Sequence, residues 1–94
     1  MTAYWIAHVT VTDPVAYARY RDLAPAAFKR YGARFLAQGG EAEVLEGPEH
    51  ARHVVIEFPD LATARACYES AEYQAARAAR LGAAEVQVVI VAGV

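Results

Sequence analysis

Three observations predict an α+β domain with elements in the order β-α-β-β-α-β. Runs rich in β-branched and aromatic residues recur over 3–11, 33–38, 52–58 and 85–92, bounded by turn formers. Alanine-rich stretches over 14–31 and 60–81 carry apolar side chains at helical spacing. The clearest unit runs from Val54-Val55-Ile56 to Asp60, where Pro59 stops a strand and Asp60 caps the helix that follows. Two split β-α-β halves in this order give a ferredoxin-like sandwich, an antiparallel sheet with its helices on one face.

The first strand, AYWIAHVTV, alternates between two faces. Trp5, Ala7, Val9 and Val11 share one; Tyr4, Ile6, His8 and Thr10 share the other. Asp13-Pro14 is an N-cap followed by a proline at the first helical position. Helix one runs from Pro14 to Tyr31, with Tyr17, Tyr20, Ala24, Ala27 or Phe28, and Tyr31 as its apolar stripe. Pro25 is expected to kink or split it, and Gly32 suits the left-handed position after it. Strand two covers 33–38, is bulged or bent at Gly39-Gly40, and continues through 42–46 (AEVLE). Gly47-Pro48-Glu49-His50 is a turn into strand three, Arg52 to Phe58, so strands two and three form a hairpin with a short loop. Helix two starts at Asp60 and reaches about Glu69. Ser70 is a second N-cap, with a further helical piece over 71–81 and the last strand over 85–92.

A chain of 94 residues makes one domain, 1–94, of a size that often gains from oligomerisation. At 56% hydrophobic it is not a disordered chain, and a net charge of −2 offers no basic field for nucleic acid. The one cysteine, Cys67, excludes an internal disulfide and a four-cysteine metal site. No apolar run approaches the ~20 residues of a membrane helix, and the first ten residues read as a strand rather than a basic leader. A soluble cytoplasmic protein without membrane or nucleic-acid partners is expected.

Helices cover only one sheet face. Tyr4, Ile6, Leu36, Val55, Val89 and Val91 would then form an apolar patch on the other, too large to leave in water. A second copy of the sheet is the simplest cover, which predicts a two-fold homodimer.

Several segments together resemble the bacterial family called domain of unknown function 1330. They are YWIAHVTVTDPVAYARY, KRYGARFLAQGG, EVLEG, VVIEFPD, ESAEYQAARAAR and the late VIV, which span nearly the whole chain. The resemblance implies a ferredoxin-like fold of the dimeric α/β-barrel superfamily. It implies no defined reaction, since that superfamily includes cofactor-free monooxygenases, haem-degrading enzymes, isomerases and regulators.

By alternation, His8, Arg34, Gln38, His53, Glu57 and Gln87 point with Ile6 and Val55 to the outer face. A functional reading makes this a small-molecule pocket between sheet and partner, for an organic acid or aromatic metabolite. His8 would then be the acid or base, Glu57 its partner and Arg34 an anion clamp. The structural reading has the same groups pair to seal a dimer interface. Tyr73, Arg77 and Arg80 form one helical stripe that either binds an acidic ligand or, more commonly, is a solvated face pairing with Glu69 and Glu72. The hydroxyl of Tyr31 or Tyr20 has a polar partner such as Glu57 within its expected reach. His8, His50 and His53 lack helical ligand spacing and a completing cysteine or carboxylate, so no metal or cofactor is expected; haem or metal handling is a third reading. The residues fit cofactor-free acid–base catalysis or non-catalytic binding, and the resemblance implies oxygenase-type chemistry as a further form of the former.

Overall fold

The computed structural model describes Met1–Val94. The elements are β1 (Ala3–Val11), α1 (Pro14–Arg30), β2 (Arg34–Gln38), β3 (Arg52–Phe58), α2 (Leu61–Glu69), α3 (Ala71–Arg80) and β4 (Ala84–Ala92). They build one four-stranded sheet in the order β2-β3-β1-β4, with every neighbouring pair antiparallel. This is the ferredoxin-like arrangement that the element order predicts.

Local chemistry sets the helix boundaries. The Asp13 carboxylate accepts from the Ala16 backbone N–H at 3.2 Å, and Asp60 does the same from Thr63 at 2.7 Å. Ser70 does two jobs. Its hydroxyl donates to the Cys67 carbonyl at 2.7 Å, closing α2, and accepts from the Tyr73 N–H at 3.1 Å, opening α3. Gly32, at φ 70°, takes the left-handed position just after α1.

The core forms where the helices meet the sheet. Trp5 is its centre, 5.2 Å from Phe28 and 5.0 Å from Tyr73 in edge-to-face contacts, with Phe58 stacked 5.9 Å away. Ala3, Ala7, Val9, Ile56, Ala64, Cys67 and Ala76 complete it. On the outer face Leu36, Val89 and Val91 are 45%, 46% and 44% exposed, as the predicted apolar patch requires.

Three expectations need correction. Pro25 does not split α1, which runs unbroken from Pro14 to Arg30. Pro25 is exposed, so the Arg21 carbonyl that it deprives of a donor lies on the solvent side of the helix. Residues 42–46 are not a strand, and β2 and β3 are joined by the long irregular segment 39–51 rather than a short loop. Gly39, at φ 70°, turns the chain away after its N–H bonds to the His53 carbonyl, and edge strand β2 has no second neighbour to pair with. Finally, Gln38 is not on the outer face. A bulge between Phe35 and Ala37 shifts the register, so Ala37 stands opposite Val55 and Gln38 opposite the inward-facing Val54. One extra residue reverses the facing of all that follow.

Candidate functional site

The outer-face residues fall into two groups rather than one. His8 lies opposite His53 on β3 and Gln87 on β4, while Glu57 lies opposite Tyr4 on β1 and Arg34 on β2. His8 and Glu57 are thus four register positions apart, about 13 Å along the strand at roughly 3.3 Å per residue. The expected His8–Glu57 pair does not form within the protomer. His8 Nδ1 instead meets His53 Nδ1 at 2.8 Å, one ring donating and the other accepting. His50 Nδ1 is 2.9 Å from the Thr10 hydroxyl, and its ring stacks 6.3 Å from that of His8. These histidines and Gln87 floor an open depression rimmed by Glu43 and Glu46 of the 39–51 segment. Arg34 and Glu57 form no ion pair; the chain's one salt bridge is Arg30–Glu72, at 2.6 Å.

A deeper, partly enclosed pocket lies on the other side of the sheet. It has a volume of about 150 Å³ and sits between the sheet, α1 and α3. Trp5, Phe28 and Phe35 are among its aromatic walls, and Val54, Val86 and Val88 are part of its floor. Its polar groups are Tyr17, Tyr20, Arg21, Gln38, Arg52, Tyr73 and Arg80. The Tyr20 and Tyr73 hydroxyls are 3.0 Å apart, and Arg80 Nη2 donates to Tyr73 at 3.4 Å. The Arg80 guanidinium also lies 5.2 Å from the Tyr20 ring centroid, a cation–π contact.

Backbone geometry explains this convergence. Tyr73, Ala76 and Arg80 recur at i, i+3 and i+7, and all three are buried. The solvated reading of that stripe therefore fails for Tyr73 and Arg80, which turn inward; Arg77 stays half-buried and lines a separate groove with Arg65, Glu69 and Arg80. Glu72 pairs with Arg30 across the helices instead. Tyr20 bonds Tyr73, not Glu57, and Tyr31 lies half-buried beneath the Arg30 guanidinium. At the mouth, Arg52 packs over Gly39, where a Cβ would strike its guanidinium.

Burial, and then the neighbouring Tyr73 hydroxyl, hold the Tyr20 phenol well above its usual range; burial also raises Tyr17. Both stay protonated at neutral pH, each with a hydrogen to donate. The pocket contains no aspartate, glutamate or histidine. Chemically it can grip and polarise a ligand, but it has no conventional base.

Of the pocket residues, Tyr73 and Arg80 are the two that the sequence offers as a possible acidic-ligand stripe, and Gln38 is a candidate expected on the opposite face; Tyr17, Tyr20, Arg21 and Arg52 are not singled out as ligand-binding residues by the sequence. The readable signal was Arg80 sharing a helical face with Tyr73 and Ala76.

A model of the family described as Domain of unknown function (DUF1330) matches residues 2–94. No curated protein matches the chain. Among solved structures, it resembles the RPA0582 protein of unknown function from Rhodopseudomonas palustris, with a TM-score of 0.77 at 20% identity, covering 99% of this chain and 82% of that one. It also resembles SnoaB, a cofactor-independent oxygenase from Streptomyces nogalater, with a TM-score of 0.65 at 14% identity, covering 99% and 93%. A dimeric protein of unknown function and ferredoxin-like fold from Bacteroides fragilis aligns with a TM-score of 0.64 at 13% identity, covering 98% and 96%. At these identities the likeness establishes the fold alone.

Proposed function

We propose, for a chain that belongs to the DUF1330 family, that it is a homodimer binding a small organic acid or aromatic metabolite between the sheet and helices α1 and α3. The observation that carries this reading is the partly enclosed pocket of about 150 Å³, lined by aromatic side chains and the Tyr20–Tyr73–Arg80 cluster. An apolar cavity of about that volume accommodates a single benzene ring. Few, convergent polar groups in an apolar cleft are the usual composition of a ligand site. The dimer reading rests on the exposed apolar outer face and on the dimeric description of the Bacteroides fragilis neighbour.

A cavity-filling substitution tests the location. Ala24 lines the pocket and is 2% exposed, so Ala24→Leu puts a side chain into the space a ligand would use. Phenol and benzoate should each raise the melting temperature of the wild type and leave a folded Ala24→Leu variant unmoved. An equal rise in both proteins would place binding elsewhere.

A second reading keeps the outer face as the reactive one. Its support is the 2.8 Å His8–His53 contact at the floor of the open depression, with Gln87 beside it and Arg34 and Glu57 farther along the same face. In a sheet-to-sheet dimer these groups would border the partner, where His8 and Glu57 from different protomers can meet. Cofactor-free acid–base or oxygenase-type chemistry belongs to this reading, because the helix-side pocket has no base. Histidine-to-alanine changes at positions 8 and 53 would abolish turnover under it and leave ligand binding in the helix-side pocket intact.

A further inference from the structure

We infer that the ligand of the helix-side pocket is a single-ring aromatic carboxylate, taken up already ionised and anchored by Arg80; this rests on the pocket reading above.

Arg21, Arg52 and Arg80 line the pocket, and no acidic residue does, in a protein whose net charge is −2. Arginine remains cationic in proteins, so the lining carries three positive charges. Arg80 is the most telling of them. It is 7% exposed, and a buried charge is ordinarily paired or coordinated. Yet it forms no salt bridge, and the one hydrogen bond of its side chain is the long contact with the Tyr73 hydroxyl. Glu69 lines the adjoining groove but does not close an ion pair with it. Within the chain its planar five-donor fork meets a neutral oxygen and a ring face; no buried nitrogen is left unpartnered, so the spare donors open onto the pocket and the adjoining groove, where a ligand can reach them. A carboxylate fits that fork with two parallel hydrogen bonds.

The tyrosines extend the site. Arg80 donates to Tyr73, so the Tyr73 hydrogen can go to Tyr20, and the Tyr20 hydrogen is then free for the ligand. Each bond in such a chain strengthens the next. The rest of the lining selects a ring: Trp5, Phe28 and Phe35 offer faces and edges for aromatic contact. The absence of any carboxylate or imidazole in the lining means that no pocket group can remove the acid's proton, so the ligand arrives as its anion.

Calorimetric titration with benzoate and with its neutral isostere benzamide tests this without any variant. Benzoate should bind at least tenfold more tightly. Arg80→Met should reduce the ratio to within about twofold while leaving benzamide binding in place. Should that variant not fold, Arg52→Gln at the mouth should lower benzoate affinity several-fold and spare benzamide. Equal affinities, or a preference for benzamide, would overturn the anion assignment while leaving a ligand pocket standing. Binding of neither probe at millimolar concentration would remove the pocket reading and this inference together.

Discussion

Cys67 shows how burial controls chemistry at a single residue. It is 0% exposed, and burial, helped by the nearby Glu72 charge, pushes its thiol up to about 11 from the usual 9.0. At neutral pH it is a packed thiol, slow to react. Native protein should label with a disulfide reagent far more slowly than protein in urea; equal rates would mean that the thiol is accessible. The pH dependence follows from the same shift. The unfolded thiol loses its proton above pH 9 while the folded one keeps it, so the native state binds more protons and stability falls as pH rises. Urea midpoints should therefore decline between pH 9 and about 11, and Cys67→Ala should flatten part of that decline. Tyr17 and Tyr20, also raised by burial, would add to the loss at higher pH. A midpoint that rose over this interval would contradict the burial of these groups.

At the level of elements, Ser70 is the joint on which the pocket depends. Its hydroxyl ends α2 and begins α3, and Tyr73 lies in the first turn that it caps. Ser70→Ala should cost about 1 kcal/mol, and up to ~2 because both bonds are lost. Ser70→Thr keeps a hydroxyl in place and should recover most of it; equal loss in the two variants would show that packing, not the cap, matters here. Such caps were legible in the sequence because they are local: Asp13, Asp60 and Ser70 each act on a backbone N–H three residues on. So were the two faces of β1, because alternation needs no partner. What depends on another strand was not legible. The bulge at Phe35/Ala37 turned Gln38 inward, and the register of β1 on β3 put His53, not Glu57, opposite His8. Nor does AEVLE reveal that it lacks a neighbour to pair with. For Arg80 the sequence left two readings open, ligand stripe or solvated face, because arginines on an alanine-rich helix ordinarily face water and the burial that decides between them is a tertiary property.

The whole molecule has two unequal sides. One side of the sheet is sealed by helices around a small charged pocket; the other presents half-exposed aliphatic side chains with polar clusters toward its ends. The second side suits a copy of itself, and light scattering should report about twice 10.2 kDa. Val55→Asp, at the middle of that face, should yield a folded monomer, because an unpaired carboxylate buried at the interface costs several kcal/mol. A dimer that tolerates Val55→Asp would have to pack through another surface. The proposed dimer face and the proposed ligand pocket lie on opposite sides of the sheet, so the monomeric variant should still bind benzoate. The proposed ligand site lies between the sheet and helices α1 and α3. Amide chemical-shift mapping during a benzoate titration of the wild-type protein tests it most directly. The expected result is a set of perturbations at Tyr17, Tyr20, Tyr73 and Arg80, with His8, His53 and Gln87 unmoved. Perturbations confined to His8, His53 and Gln87 would contradict it and move the site to the outer face.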